Sequence, residues 1–210
     1  MPVTAIIPAY NEGKHLSGVI APLKELDEIS QIIVVSDGSI DNTVQVALAW
    51  GVEVINLPDN IGKGGAMAAG VYSAKEDIIL FLDADLIGLT KLHIYDLIIP
   101  IFEDEADMSV GVFEHGRITT DMAQVVAPFL SGQRCLRRKW LRHINEWADA
   151  GFGIEAALTI YAHQNHLRIK QVYLAEMSHV MKEEKYGIVR GLAYRIKMYW
   201  EIARKVRMGG

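Results

Sequence analysis

The chain predicts an α/β fold built on a mostly parallel central sheet flanked by helices. Three observations carry that prediction. Short apolar runs alternate with stretches of helical period through the amino-terminal half. One run, Ile78 to Leu82, holds only large apolar residues, as a strand buried on both faces does. Polar clusters at Tyr10 to Glu12, Ser36 to Ser39 and Asp83 to Asp85 each follow such a run. In a parallel sheet ligands bind outside the carboxyl ends of the strands, so these clusters point to one site.

Taken in order, "VTAIIP" reads as the first strand. A helix is expected over residues 13 to 28, because Leu16, Val19, Ile20, Leu23 and Leu26 recur on one face. "QIIVVSDGS" is a second strand breaking into a turn, and Asp41 is placed to cap the helix through "TVQVALAW". "VEVINL" makes a third strand, "NIGKGG" a glycine-rich loop, "AMAAGVYSA" a helix and "DIILFL" a fourth strand. Thr90 is expected to cap a helix reaching about Phe102, with a strand in "ADMSVGVF" after it. Residues 114 to 129 have no clean period and read as a flexible connection. "GFGIEAALTIYAHQNH" is helical after Gly153, and "RIKQVYLAEMSH" is an edge strand. From Gly187 onward the apolar residues return at helical spacing, which predicts a carboxyl-terminal amphipathic helix.

With 210 residues, half of them hydrophobic, the chain can bury one substantial core. A net charge of -5 argues against a general nucleic-acid binder. The single cysteine, Cys135, allows neither an intrachain disulfide nor a cysteine-based zinc site, and fits a reducing, cytoplasmic setting. The opening "MPVTAIIPAYNEG" lacks a basic region and does not read as a signal peptide. No run approaches the ~18 apolar residues of a membrane span.

Several residues carry candidate chemistry. Asp83 and Asp85, two apart at the end of a buried strand, are expected by strand alternation to project to one side, where they repel by about 1 kcal/mol or more. A divalent cation would compensate them, although an aspartate also suits a helix start. Asp37 is either a turn residue beside Gly38 or an acceptor of nucleoside hydrogen bonds. Lys63 lies in a tight turn into a helix, where exposed amides could also receive an anion. The surrounding glycines match neither the Walker nor the dinucleotide fingerprint. His179 is a structural histidine or a metal ligand. Glu155 either complements a helix dipole or serves catalysis.

Together, "IIPAYNE", "VVSDGSIDNT", "NIGKGGAMAAG" and "LFLDADL" resemble the family-2 and related glycosyltransferases of the GT-A fold. The chain is most similar to dolichol-phosphate-mannose-synthase-type enzymes and glucosyl-3-phosphoglycerate synthases. Weaker resemblance continues through "LSGQR", "GFGIE" and "QVYLAEMSH". The resemblance implies a Rossmann-like GT-A domain over residues 1–180, with a nucleotide-binding half to about 88 and an acceptor half beyond it. Residues 181–210 would form a helical extension.

By the same resemblance, Pro8, Ala9, Tyr10 and Glu12 hold the nucleobase and ribose of a nucleotide-sugar. Asp37 contacts the nucleoside, and Lys63 the nucleoside or diphosphate. Asp83, Ala84 and Asp85 match the D-x-D element, which binds Mg²⁺ or Mn²⁺ bridging the diphosphate. His179 aligns with a metal-ligating histidine of the phosphoglycerate-using relatives. Asp85 acts catalytically through the cation; the Glu-Asp pair that supplies a base in inverting relatives is not evident here, which leaves Glu155 as the one base candidate. The implied activity is hexosyl transfer from a UDP-sugar to a polyprenyl phosphate or a small phosphorylated or hydroxyl acceptor. Departures from the pattern are Ser36 in place of a first Asp, and Met177 and Met181 where those relatives carry Arg and Asn.

Two other functional readings stay open: a catalytically silent nucleotide-sugar-binding module and a nucleotidyltransferase. The segment from Arg190 to Arg207, rich in basic residues with Tyr194, Tyr199 and Trp200 interleaved, leaves two readings of its own. It is a peripheral contact with the inner face of a membrane, or a helix packing within the core or a homo-oligomer.

Overall fold

A computed structural model describes residues 1–113, 131–144 and 153–179, all within one compact unit, Met1–His179. The expected connection at 114–129 and the extension at 181–210 lie outside the described residues. The strands are β1 (Val3–Ala9), β2 (Ile29–Asp37), β3 (Glu53–Leu57), β4 (Ile78–Phe81), β5 (Leu86–Ile87), β6 (Met108–Phe113), β7 (Arg134–Arg137), β8 (Ile169–Leu174) and β9 (Ser178–His179). Seven of them form one sheet in the order β3-β2-β1-β4-β7-β6-β8, while β5 and β9 pair separately.

Strands β3, β2, β1 and β4 pair in parallel, and β6 pairs in parallel with the edge strand β8. β7 is antiparallel to both of its neighbours, β4 and β6. It therefore enters the sheet at the edge where β1, β2 and β4 leave it. The residues just before β7 consequently share that edge with the residues just after β4.

Helices α1 (Leu16–Lys24), α2 (Thr43–Ala49), α3 (Gly62–Ser73), α4 (Lys91–Phe102) and α5 (Ile154–Gln164) cover the sheet. Along β2, Ile32 and Val34 pack with Leu16, Val19 and Ile20 of α1 and Leu97 of α4. Ile33 and Val35 pack with Ala66 and Met67 of α3 and Leu158 of α5. Alternate residues thus serve opposite helical layers, and every residue of the Ile78 to Leu82 run is buried. Thr90 caps α4 as expected: its hydroxyl accepts from His93 N, and His93 Nδ1 accepts from Thr90 N.

Four local expectations are revised. The first helix starts at Leu16, not residue 13; ahead of it, the N–H groups of Glu12 and Gly13 donate to the side chains of Thr43 and Asp41. Asp41 does not occupy the cap position of α2, which is Asn42; its carboxylate instead ties Thr43 N to Gly13 N. "NIGKGG" is not wholly loop, for α3 begins at Gly62. Asn60 Oδ1 accepts from Gly62 N at 3.1 Å, supplying a partner for an amide at the helix entrance. Asp83 and Asp85 are not placed by strand alternation, since β4 ends at Phe81 and both lie in the turn to β5. No helix among the described residues is long and apolar enough to cross a membrane.

Candidate active site

The rim of the site is a cross-linked pair of turns after β1 and β2. Asn11 adopts φ 56°, a left-handed conformation that Asn tolerates better than most residues. Its Oδ1 accepts from Ile40 N at 2.9 Å, while its own N–H donates to Ser39 Oγ at 3.1 Å. Glu12 N donates to Thr43 Oγ1 at 2.9 Å, and Gly13 N to Asp41 Oδ2 at 3.1 Å. With Ser39 Oγ donating to the Ala9 carbonyl at 3.4 Å, five hydrogen bonds join the two motifs. Each bond of this kind contributes about 1 kcal/mol net, and their shared geometry makes the rim rigid.

Asp37, buried at the end of β2, accepts from Ile61 N at 2.7 Å through Oδ1. This bond anchors the start of α3 and so fixes Lys63 in its first turn. Gly38, at φ 68°, is required where it stands, since a Cβ would meet the Asn60 backbone. Ser36 is fully buried and its hydroxyl oxygen has no hydrogen-bond partner. By alternation it shares the face of Ile32 and Val34, opposite to that of Asp37.

At the centre, the Lys63 ammonium bridges two carboxylates. It bonds to Asp83 Oδ1 and lies 2.5 Å from Glu155 Oε1. Burial acts to lower the Lys63 pKa, but the charges and hydrogen bonds of Asp83 and Glu155 outweigh it and hold the group above the ordinary lysine range. Glu155 occupies the first turn of α5, behind Gly153 at φ 89°.

The remaining wall comes from the residues that lead into β7. Gln133 Nε2 donates to Asp83 Oδ2 at 2.9 Å. Gly132 abuts the same carboxylate, and a Cβ there would overlap both its oxygens and the Lys63 ammonium. Arg134, fully buried, donates from Nε to Ser131 O and from Nη1 to Thr159 Oγ1, each at 2.8 Å. Thr159 Oγ1 donates in turn to the Glu155 carbonyl at 2.9 Å. Burial pushes the Arg134 guanidinium down to about 10, partly offset by the charges of Glu155 and Asp83. It remains a cation at neutral pH beneath the two carboxylates.

The structure thus gathers Asp37, Lys63, Asp83 and Glu155 at one sheet edge, with Asp85 and Ala84 buried in the same turn as Asp83. Pro8 and Ala9 end β1, and Tyr10 beyond them is 46% exposed, with its ring available to a ligand. The Glu12 carboxylate lies 3.1 Å from His15 Nδ1. The His179 backbone pairs with Leu86, next to Asp85 in the chain. Asn11, Thr43, Gln133 and Arg134 carry no role in the sequence reading, and Asp41 only that of a helix cap. Gln and Arg flanked by apolar residues in "LSGQRCL" were the available signal for Gln133 and Arg134.

The carboxylates of Asp83 and Asp85 supply hard oxygen donors of the kind Mg²⁺ and Mn²⁺ take together with phosphate. Among the described residues no three acidic, histidine or cysteine side chains cluster as a self-sufficient metal site. Two carboxylates from one turn suit a cation that completes its oxygen shell with phosphate.

Residues 4–150 match the family model for glycosyl transferase family 2. The chain belongs to that family. Among family-2 relatives, dolichyl-phosphate beta-glucosyltransferase of Drosophila melanogaster is 41% identical over 110 residues, covering 45% of this chain and 33% of that one. The Homo sapiens protein of the same name is 36% identical over 105 residues, covering 42% and 32%. The matched segment spans about a third of the length of these curated relatives. Glucosyl-3-phosphoglycerate synthase of Mycobacterium tuberculosis, solved with Mn²⁺, UDP-glucose and phosphoglyceric acid, superposes with a TM-score of 0.75. It is 24% identical, and the match covers 91% of this chain and 76% of that one. The family-2 chain therefore has the GT-A-type sheet that its motifs imply.

Proposed function

We propose that this family-2 chain transfers glucose from a UDP-sugar to a phosphorylated acceptor, a polyprenyl phosphate.

 The observation that carries this reading is the bridge from Lys63 to Asp83 and Glu155. It unites residues from three separate stretches at the edge of the sheet where ligands bind. The names of the dolichyl-phosphate relatives support the acceptor class, and the complex of the structural neighbour supports the donor.

In this reading the rim built by Pro8, Ala9, Tyr10, Glu12 and Asp37 receives the uridine. Asp83 and Asp85 hold Mg²⁺ or Mn²⁺, with His179 as a further candidate ligand. The cation supplies Lewis-acid stabilisation of the leaving diphosphate. Lys63 exchanges its carboxylate partners for diphosphate oxygens and adds a second positive charge where negative charge develops. An acceptor that is already an ionised phosphate needs no proton removed before attack. Glu155 then acts as the counter-ion that holds Lys63; with a hydroxyl acceptor it is the candidate general base.

The test is transfer of labelled glucose from UDP-glucose to polyprenyl phosphate in detergent, with and without Mn²⁺. Metal-dependent formation of a glycosylated lipid is expected. In parallel, UDP with Mn²⁺ is expected to raise Tm, since a ligand that binds only the folded state stabilises it. Absence of both responses would overturn the reading.

A further inference from the structure

We propose that Gln133 is a positioning residue of the cation site, acting through Asp83. The inference rests on the reading of Asp83 as a cation ligand and gives a role to a residue of the "LSGQR" segment that the sequence left without one.

Gln133 is fully buried, so its amide must find partners within the protein. Its Oε1 faces the Ser131 hydroxyl at 3.0 Å, and its backbone N–H donates to that hydroxyl oxygen at 3.3 Å. With the carbonyl end directed there, the NH₂ end is left for Asp83 Oδ2, 2.9 Å away. Sheet register makes this contact possible. Arg134 pairs with Phe81, so Gln133, one residue earlier in an antiparallel strand, reaches the chain just beyond Phe81. Gly132 completes the wall, because only a residue without Cβ lets the backbone lie against the carboxylate.

Asp83 is therefore held from both sides, with Oδ1 on Lys63 and Oδ2 on Gln133. The two contacts differ in kind. Lys63 carries a positive charge that competes with an incoming cation. Gln133 is neutral and uses one of about four lone-pair sites of the carboxylate. It can keep its bond while the cation binds and so fix the direction of the ligand oxygens. Outer partners of this kind typically contribute 10- to 100-fold in metal affinity.

The experiment is Mn²⁺ titration at saturating UDP, followed by electron paramagnetic resonance, on the full chain. Gln133→Met, which keeps length and removes the amide, is expected to weaken Mn²⁺ binding roughly 10- to 100-fold. Its affinity for UDP without metal is expected to match that of the unaltered chain, a readout that general damage to the fold would not spare. Unchanged Mn²⁺ affinity in Gln133→Met would overturn the role of Gln133 while leaving the proposed function standing. Failure of the unaltered chain to bind Mn²⁺ with UDP would overturn both. Gln133→Glu gives an independent arm should the Met variant not fold. A second carboxylate against Asp83 makes its Tm rise more than that of the unaltered chain on adding Mn²⁺ and UDP; an equal or smaller rise counts against the role.

Discussion

Lys63 Nζ, in the first turn of α3, lies 2.5 Å from Glu155 Oε1, in the first turn of α5. Each helix is anchored elsewhere, α3 through Asp37 and Ile61 N, and α5 through Thr159 and the buried Arg134. The ion pair is thus held by the scaffold and does not depend on two flexible side chains finding each other.

Lys63→Met should remove this cation and leave two carboxylates facing one another. Stability without ligand is expected to fall by about 1–2 kcal/mol, less than for a fully buried pair because the Lys63 side chain is 35% exposed. The value of kcat/KM for a UDP-sugar is expected to drop roughly 10- to 100-fold, the worth of one charge-assisted hydrogen bond. Chemical denaturation and steady-state kinetics check the two effects separately.

Asp85→Asn should abolish the Mn²⁺-dependent part of the thermal shift and keep the part due to UDP alone. At a hundred times Kd a single site adds about 2.7 kcal/mol, which is readily resolved in a melting curve. A full Mn²⁺ response in this variant would remove Asp85 from the cation site.

Gly132→Ala should disturb the site more than the fold. The new methyl group overlaps the Asp83 carboxylate and the Lys63 ammonium, and both must shift to admit it. Far-UV circular dichroism is expected to be unchanged, while transfer activity falls at least 10-fold, in keeping with the sensitivity of aligned groups to ~1 Å displacements.

Asp107 accepts from the backbone N–H of Arg168 at 3.0 Å and from its Nε at 3.1 Å. The Arg168 hydrogen bonds outweigh partial burial and hold the Asp107 carboxyl below its ordinary value of 3.8. A depressed folded pKa contributes stability that is complete above the unfolded value and fades as pH falls through the folded one. Asp107→Asn should therefore be less stable than the parent at pH 7, with the gap closing below pH 3.8. Urea denaturation at the two pH values measures it.

Much of the fold was legible because local chemistry repeats along the chain. The buried run Ile78 to Leu82, the helical spacing of Leu16, Val19, Ile20 and Leu23, and the Thr90 cap are each encoded within a few residues. Element ends were less legible. The chain ahead of α1 is tied down by Thr43 and Asp41 accepting from amides about thirty residues away, which no local window contains.

The same division runs through the site. The sequence alone specified the alternation of strands and helices, the acidic pair after the fourth strand and the presence of one lysine at a helix entrance. Those features rest on side-chain periodicity and residue chemistry, which are local properties. Tertiary structure was needed to bring Glu155 onto Lys63, and Gln133 onto Asp83. These contacts depend on β7 running against β4 in one particular register, and hydrogen-bond register between distant strands leaves no periodic trace in the chain.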